Sequence, residues 1–243
     1  MISLNQTDFY PGIITRKTQR NYVDGKLAFF FLKRGFDLTV STCTIIFFLT
    51  WVIPVMAFAI KINSRGPVFF IQRRVGRGMR SFGCIKFRTM VVNEQANTTG
   101  PVENDCRVTT LGKFLRKTSL DELPQFINVF FGDMSIVGPR PHMYADCKRF
   151  SAVVGNYKFR NFVRPGITGL AQVKGFRGPA KNPFSIIHRF QYDSFYIRNA
   201  SFVLDLKIMF KTAGQVLTTI FSKVRIKKIE VRKDRSNEKK LAA

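Results

Sequence analysis

The sequence has few of the residues that build metal centres and disulfide frameworks. Its 243 residues include four cysteines and only two histidines, His142 and His188. The cysteines are widely spaced and form no CxxC pair, so neither a zinc site nor a disulfide framework is expected. This pattern is typical of reduced thiols in a cytoplasmic compartment.

Acidic residues are scarce as well. The chain has 15 Asp and Glu against 40 Lys and Arg, which gives a formal net charge of +25. Such a charge points to polyanionic partners, and nucleic acid, anionic lipid headgroups and phosphorylated substrates all qualify. Nucleic acid is disfavoured, because the 26 phenylalanines fall in apolar runs rather than alternating with arginine, and no recognition motif occurs.

Charged residues are missing altogether from residues 39–60. About 22 uncharged residues can cross a hydrocarbon core of roughly 30 Å, so this run predicts a membrane anchor. Pro54 interrupts it, which leaves a kinked span, a re-entrant hairpin and a buried soluble helix as alternatives. Basic residues flank both ends, so the positive-inside rule gives no orientation, and the hairpin is favoured because both ends could then meet one anionic leaflet. The flanking basic residues are Lys33, Arg34, Lys61 and Arg65.

Composition divides the chain into four segments. Residues 1–25 form a polar lead-in and residues 26–65 the anchor, followed by a folded domain at 66–221 and a basic tail at 222–243. The tail is predicted to be disordered and either to face lipid or to be simply solvated. The predicted fold class is α+β and membrane-associated: a re-entrant hydrophobic helix, a small helix-rich domain with short strands, and amphipathic surface helices.

Hydrophobic periodicity predicts the elements of the folded domain. Short strands are expected within residues 66–76 and 81–90, followed by a polar surface loop at 91–105. Residues 109–131 carry helical spacing up to the glycine that follows them. Residues 186–221 are helical and amphipathic in pattern, as expected for a helix that lies on a membrane surface.

The adjacent carboxylates of Asp121 and Glu122 are the first candidates for chemistry. Locally, Ser119 to Glu122 also match a helix capping box, although Pro124 would then cost the helix a hydrogen bond. If Pro124 instead begins the helix, the two carboxylates lie just before it. Two adjacent carboxylates resist joint ionisation unless a cation compensates, and magnesium with phosphate oxygens or neighbouring basic side chains would do so. A carboxylate can also attack phosphorus to form an acyl phosphate.

Several basic residues are candidates for binding phosphate. Arg140 lies between two prolines, and Arg164 precedes a Pro-Gly pair, so each guanidinium is carried by a restricted backbone that suits phosphate recognition. Lys86 and Arg88 belong to the second predicted strand. Each motif taken alone is also compatible with ordinary turn chemistry or with an exposed basic strand edge.

Taken together, these segments closely resemble the bacterial sugar transferases, the monotopic polyprenyl-phosphate phosphoglycosyl transferases. The similarity extends from about residue 30 to about residue 217, and the long central block is far more specific than any single motif. The matching stretches are residues 33–37, 64–70, 86–90, 111–141 and 164–175.

The resemblance implies an enzyme that transfers a sugar-1-phosphate, expected to be a hexose-1-phosphate, from a UDP-sugar to undecaprenyl phosphate with release of UMP. Asp121 would be the nucleophile and would form a covalent phosphosugar–aspartate intermediate. Glu122 would assist with magnesium or proton transfer, and both carboxylates would hold Mg²⁺. The reaction would be the first membrane step of surface polysaccharide assembly, of an exopolysaccharide or a capsule.

The resemblance also implies roles for the basic residues and for the anchor. Lys86, Arg88, Arg140 and Arg164 would hold phosphates, and Pro54 would break a re-entrant helix on the cytoplasmic face of the bacterial inner membrane. Expected partners are the UDP-sugar, undecaprenyl phosphate and anionic lipids but no nucleic acid, with homo-oligomerisation left open. The alternative is a basic membrane-surface scaffold without catalytic activity. The sequence specifies neither the sugar nor the prenol length.

Overall fold

The structure is a computed structural model that describes residues 23–91, 105–178, 180 and 182–241, with side chains described as far as Phe221. The polar lead-in predicted at residues 1–25 and the surface loop predicted at 91–105 therefore lie almost entirely outside the described residues.

The apolar segment forms one helical run near the N-terminus. Helix α1 (Leu27–Thr44) continues through a π-helical segment (Ile45–Leu49) into helix α2 (Thr50–Asn63). Pro54 lies inside α2 and lacks the N–H that would donate a hydrogen bond to the preceding turn. A π-helical turn, which is wider than an α-helical one, commonly accompanies such a defect. The run has 37 residues and a mean hydropathy of 2.4 in its most apolar window, and within the described residues it is the one helix long and apolar enough to cross a membrane.

Buried polar contacts tie α1 to the rest of the protein. The Lys33 ammonium donates to Asp205 Oδ2 at 2.6 Å, and both side chains are buried. Asp205 also accepts a hydrogen bond from the Tyr196 hydroxyl at 2.8 Å. Asp37 accepts a hydrogen bond from the backbone N–H of Ile136 at 3.1 Å. These contacts place the N-terminal half of the anchor against the folded domain.

Strands β1 (Phe69–Val75) and β2 (Ser81–Phe87) form an antiparallel hairpin, which confirms the two short strands predicted from the sequence. A short 3₁₀ turn (Arg77–Met79) joins them, and Gly78 within it has φ 64°, a left-handed conformation that favours glycine. Strand β2 ends at Phe87, so Arg88 lies just beyond the strand rather than on it.

The helical spacing of residues 109–131 belongs to two helices rather than one. Helix α3 (Thr110–Thr118) ends at Ser119, whose φ of 64° is left-handed, and a 3₁₀ turn (Leu120–Glu122) follows. Helix α4 (Gln125–Phe131) then begins after Pro124 at its N-cap. The capping box is not formed, because the Ser119 side chain makes no cap hydrogen bond, and Pro124 begins the helix as the alternative interpretation required.

The two Pro/Gly motifs pack against each other through a parallel strand pair. Strand β3 (Ser135–Val137) pairs with β4 (Gly166–Thr168). A side chain at Gly166 would collide with the backbone nitrogen of Gly138, so only glycine allows this close approach. Helix α5 (Tyr144–Val153) and a 3₁₀ segment (Tyr157–Phe162) connect the strands, and helix α6 (Leu170–Val173) follows β4.

Two helices complete the fold where the sequence predicted a single one. Helix α7 (Pro183–Asn199) is capped by Asn182, which accepts from Ser185 N at 2.8 Å. Helix α8 (Phe202–Leu241) starts after a break at Ala200 and Ser201. The assigned helix extends through the basic tail as far as Leu241, and the disorder of this tail stays a prediction. The sequence has no proline after residue 183 and no glycine after residue 214 that would end the helix.

Apolar side chains form two buried clusters and one exposed stripe. The larger cluster lies under β3, α5 and α7, and the smaller one is formed by Ile60, Phe87 and Leu115. Exposed apolar residues recur at helical spacing along α8, which fits the amphipathic surface helix predicted from the sequence. These exposed residues are Val203, Leu206, Phe210, Leu217 and Phe221.

Lys33→Ala is expected to lower the free energy of unfolding by about 3–5 kcal/mol, because it leaves the buried Asp205 carboxylate without its cation. Chemical unfolding in detergent micelles measures the change. Burial raises the pKa of Asp205, so the loss should shrink as the pH falls and this carboxylate takes up a proton. Lys61→Ala, at an exposed position of α2, is the control and should change stability by less than about 0.5 kcal/mol. Equal losses in the two variants would contradict the stabilising role of the ion pair.

Candidate active site

Asp121 and Glu122 lie in the 3₁₀ turn between α3 and α4. The left-handed Ser119 ends α3 and Pro124 begins α4, so the chain reverses within a few residues. Both carboxylates point into the protein and are 8% and 5% exposed, respectively. Asn128 of α4 holds strand β2 beside the turn, since its side chain accepts from Ile85 N at 2.9 Å and donates to Gly83 O at 2.8 Å.

Three basic side chains surround the Glu122 carboxylate. Lys86 donates to Oε1 at 2.8 Å, and Arg140 donates to Oε1 at 2.7 Å and to Oε2 at 3.2 Å. Arg177 approaches Oε2 at 3.4 Å. Burial alone would raise the pKa of Glu122, but the charges and hydrogen bonds of Arg140 and Lys86 outweigh it and hold this pKa well below its ordinary value. Glu122 is therefore ionised throughout the neutral range.

Asp121 has the opposite environment. In the part of the chain that the structure describes, its carboxylate forms no hydrogen bond or salt bridge. Burial and the negative charge of Glu122 raise the pKa of Asp121 to about 6, although Lys86, Arg140 and Arg116 act against the rise. Two adjacent carboxylates whose pKa values are driven apart are a signature of divided chemical roles.

A buried network holds Arg140 in place. Arg160 donates to the Arg140 carbonyl at 2.6 Å and pairs with Asp193 at 2.9 Å. The Nδ1 atom of His142 lies 2.7 Å from the Tyr157 hydroxyl. Burial and the charges of nearby arginines, Arg160 above all, keep the pKa of His142 well below its ordinary value, so this imidazole is neutral at pH 7. The network therefore supports the backbone of Arg140, which contacts Glu122.

The sequence analysis missed this network and also Arg177. Asp193 offered a signal, because it is a charged residue on the same buried face of α7 as the apolar residues Phe190 and Ile197. Its partner Arg160 lies in a short 3₁₀ segment without periodicity, so the pairing could not be read from the chain. Arg177 follows α6 in a basic, glycine-containing loop, which by itself is typical of any solvated turn.

The structure brings together only two of the four basic residues predicted to hold phosphate. Lys86 and Arg140 meet at Glu122. Arg88 instead donates to the carbonyls of Ser64 and Arg65, which lie just beyond the C-terminal end of α2. Arg164 donates from Nε to the Gly132 carbonyl at 2.9 Å, at the C-terminal end of α4.

The carboxylate pair fits a magnesium ion that completes its coordination with substrate oxygens. Among the described residues, no group of three or more His, Cys, Asp or Glu could hold a metal. Asp121 is a buried carboxylate without a described partner, whereas the oxygens of Glu122 already accept from basic groups. Mg²⁺ is commonly bound by one or two carboxylates plus phosphate and water oxygens, so Asp121 would be the better-placed ligand and Glu122 would be a second one.

Comparison with known proteins identifies clear relatives. Residues 28–219 match the family model described as bacterial sugar transferase. A UDP-glucose:undecaprenyl-phosphate glucose-1-phosphate transferase from Klebsiella pneumoniae is 46% identical over 74% of this chain and 39% of its own length. A UDP-N-acetylgalactosamine-undecaprenyl-phosphate N-acetylgalactosaminephosphotransferase from Aeromonas hydrophila is 42% identical over 77% of this chain and 44% of its own length.

A shorter relative matches over nearly its whole length. The exopolysaccharide production protein PSS from Rhizobium leguminosarum bv. phaseoli is 40% identical over 77% of this chain and 96% of its own length. The chain thus spans about two fifths of the length of the Klebsiella and Aeromonas relatives and corresponds to most of the Rhizobium protein.

Substitutions at the two carboxylates are expected to change stability in opposite directions. Asp121→Asn should raise the free energy of unfolding at pH 8 by roughly 1–3 kcal/mol, because it removes a buried charge whose pKa is raised to about 6. Its gain should shrink as the pH falls below about 6 and should be small at pH 4, where the folded-state carboxylate is protonated and the unfolded-state carboxylate is about half protonated. Glu122→Gln should lower stability by roughly 2–4 kcal/mol, because Lys86 and Arg140 lose their counterion.

Urea unfolding in detergent micelles at pH 8 and pH 4 measures both effects. Each variant is the matched control of the other, because both replace one of two adjacent carboxylates by its amide. If Asp121→Asn lowered the free energy of unfolding at pH 8, the result would contradict the conclusion that the Asp121 carboxylate is unpartnered and destabilised by burial and by the charge of Glu122.

Proposed function

The chain belongs to the bacterial sugar transferase family, and we propose that it transfers a sugar-1-phosphate from a UDP-sugar to undecaprenyl phosphate with release of UMP. The activities named for the Klebsiella and Aeromonas relatives support these substrates. The observation that carries the proposal is the unpartnered, buried carboxylate of Asp121 beside a Glu122 surrounded by cations. A carboxylate free of partners can act as a nucleophile, and the cations can receive phosphate.

The proposed reaction has two phosphoryl transfers. A carboxylate oxygen of Asp121 attacks the β-phosphorus of the UDP-sugar, the bond from that phosphorus to the bridging oxygen breaks, and UMP leaves with the electron pair. A phosphate oxygen of undecaprenyl phosphate then attacks the phosphorus of the covalent phosphosugar–aspartate. The bond to Asp121 breaks, and the carboxylate is regenerated. With a pKa of about 6, Asp121 is mostly ionised at pH 7 and ready to attack.

Glu122 is proposed to organise the cations for these transfers. Its oxygens hold Lys86 and Arg140 next to the nucleophile, and Arg177 approaches from a more exposed position. Donors fixed before the reaction can stabilise negative charge on the phosphoryl oxygens without reorganising. The guanidinium of Arg140 is the best placed for this, because its own backbone carbonyl is held by Arg160.

Magnesium is proposed as the metal cofactor. Asp121 and Glu122 would hold it together with phosphate oxygens, and it would neutralise charge on the diphosphate. The residues themselves orient the substrate and supply the nucleophile. A bound cation would also relieve the repulsion between the adjacent carboxylates, because that repulsion contributes to the raised pKa of Asp121.

A re-entrant anchor on the cytoplasmic face of the bacterial inner membrane is proposed for the apolar helical run. Val40 packs against the larger buried cluster, and Val52 packs against the smaller one. About 11 residues lie between them and would span roughly 17 Å, well short of a hydrocarbon core of roughly 30 Å. Contact with one domain on both sides of this short stretch supports insertion into a single leaflet, with the exposed stripe of α8 on the same membrane surface.

The donor is proposed to be a UDP-hexose or its N-acetylamino derivative. The Klebsiella and Aeromonas relatives are named for glucose and N-acetylgalactosamine, and the name of the Rhizobium relative supports a role in exopolysaccharide production. The alternative of a non-catalytic membrane scaffold accounts for the basic charge. It gives no reason for the unpartnered carboxylate of Asp121 beside a Glu122 that is surrounded by cations.

Asp121→Asn is expected to abolish UMP release from UDP-sugar and undecaprenyl phosphate, with a loss of at least about 10³-fold, because an amide cannot form the acyl phosphate. The measurement is UMP production by purified protein in detergent with Mg²⁺, over a panel of UDP-sugars. Asp146→Asn is the matched control, because Asp146 lies on α5 and, among the residues that the structure describes, pairs only with the exposed Arg149. UMP release by Asp121→Asn at the wild-type rate would refute the nucleophile, and no release by the wild-type protein from any UDP-sugar would favour the scaffold.

The pH dependence of UMP release should report the protonation of Asp121. Below its pKa of about 6 the carboxylate is neutral and cannot attack, so kcat/KM should fall about tenfold per pH unit on the acid side. Initial rates between pH 4.5 and 8 at subsaturating UDP-sugar measure this limb in the free enzyme. A profile that stays flat down to pH 5 would contradict the raised pKa of Asp121.

A further inference from the structure

A second cationic cavity lies at the start of α1, apart from the carboxylates. It has a volume of about 270 Å³, and its lining includes Arg34, Arg77 and Arg164. Asp121, Glu122 and the three cations around Glu122 are not part of this lining. The cavity is therefore separate from the carboxylate site, and positively charged groups lie together in it.

The lining of this cavity has an excess of positive charge. Asp37 is its one carboxylate, and an oxygen of that carboxylate already accepts from a backbone N–H. The ammonium of Lys33 is neutralised by Asp205. Burial lowers the pKa of Arg164, and the charges of Arg34 and Arg77 lower it further, so these three guanidinium groups lie close enough to repel one another. An anion in the cavity would relieve this repulsion.

Helix capping explains only part of the cluster. Arg34 donates to the carbonyls of Val129 and Phe130, and Arg164 donates to that of Gly132, so both satisfy the C-terminal carbonyls of α4. Arg77 takes no part in this cap. It is exposed and has no hydrogen bond or ion pair with its side chain among the described residues. Its guanidinium is available to a ligand.

The opposite side of the cavity is apolar and continues along the membrane anchor. Leu27 and Phe31 line it and are 59% and 80% exposed, on the helix that leads into the apolar run. A ligand that satisfies both sides has an anionic head and a hydrocarbon chain. The volume is slightly below the roughly 300–1,000 Å³ of pockets that enclose whole drug-sized ligands, so the cavity suits a headgroup whose chain stays in the membrane.

We propose that this cavity binds the phosphate headgroup of an anionic membrane lipid, with Arg34, Arg77 and Arg164 around the phosphate and the lipid chain against Leu27 and Phe31. The site would hold the N-terminal end of the anchor at the level of the headgroups. Because the guanidinium groups line the cavity from α1, the β1–β2 turn and the segment before β4, a bound phosphate would also link these three parts.

Native mass spectrometry of the full chain released from nanodiscs of equal phosphatidylcholine and phosphatidylglycerol tests the proposal. The wild-type protein should retain phosphatidylglycerol in preference to phosphatidylcholine. Arg77→Ala should reduce that retention at least about tenfold, because it removes the guanidinium that makes no hydrogen bond or ion pair among the described residues. Arg80→Ala is the matched control, because Arg80 is an exposed arginine of the same turn outside the cavity and its loss should leave retention unchanged. Equal retention by the two variants would overturn the proposal.

Two further arms identify the source of the phosphate. If undecaprenyl phosphate displaces phosphatidylglycerol from the wild-type protein but binds Arg77→Ala weakly, the proposal is supported and the occupant is a polyprenyl lipid. Inorganic phosphate that binds in phosphatidylcholine nanodiscs and displaces phosphatidylglycerol completely would overturn it in favour of a free-phosphate site. Lipid retention is measured without nucleotide sugar, so its outcome is independent of sugar-phosphate transfer. An unchanged unfolding temperature of Arg77→Ala verifies that this variant is folded.

Discussion

The buried carboxylate of Glu122 joins three parts of the chain that are far apart in sequence. It binds Lys86 of strand β2 and Arg140 of the loop after β3, and Arg177 approaches it from the loop after α6. A buried charge requires compensation, so these elements can pack together only when the carboxylate and its cations meet. The ion cluster thereby sets the relative positions of the hairpin, the 3₁₀ turn and the proline-flanked arginine.

The same cluster determines the state of Asp121. Because the basic groups bind Glu122, the neighbouring carboxylate is buried beside a negative charge without a described partner of its own. The fold therefore contains a buried carboxylate whose ionised form is unfavourable for stability. Such a conflict is expected at a functional site, where a substrate or a cation supplies the missing interaction.

The apolar helical run and the carboxylate site are held by neighbouring residues. Arg88 holds the end of α2 through the carbonyls of Ser64 and Arg65, and it lies two residues after Lys86, which contacts Glu122. At the other end of the anchor, Lys33 and Asp37 of α1 bind α8 and β3. Both ends of the apolar run are thus held to the folded domain by polar contacts.

Several features of this protein follow from the sequence by itself. The uncharged run at 39–60 determines an apolar helix by its length, and short apolar runs bounded by glycine-containing turns indicate the strands β1 and β2. Pro124 limits where α4 can begin and therefore places Asp121 and Glu122 in a turn. These properties depend on covalent geometry and on local hydrophobic pattern, so they can be read from the chain.

The tertiary structure alone decided how the basic residues divide between roles. Lys86 and Arg88 lie two residues apart, yet one binds Glu122 and the other caps α2, while Arg140 and Arg164 occupy similar motifs but line different sites. The Arg160–Asp193 pair and the cavity of Arg34, Arg77 and Arg164 also join distant segments. The physical reason is that a charge finds its partner through packing in three dimensions, and the sequence records the charge but not the distance to its partner.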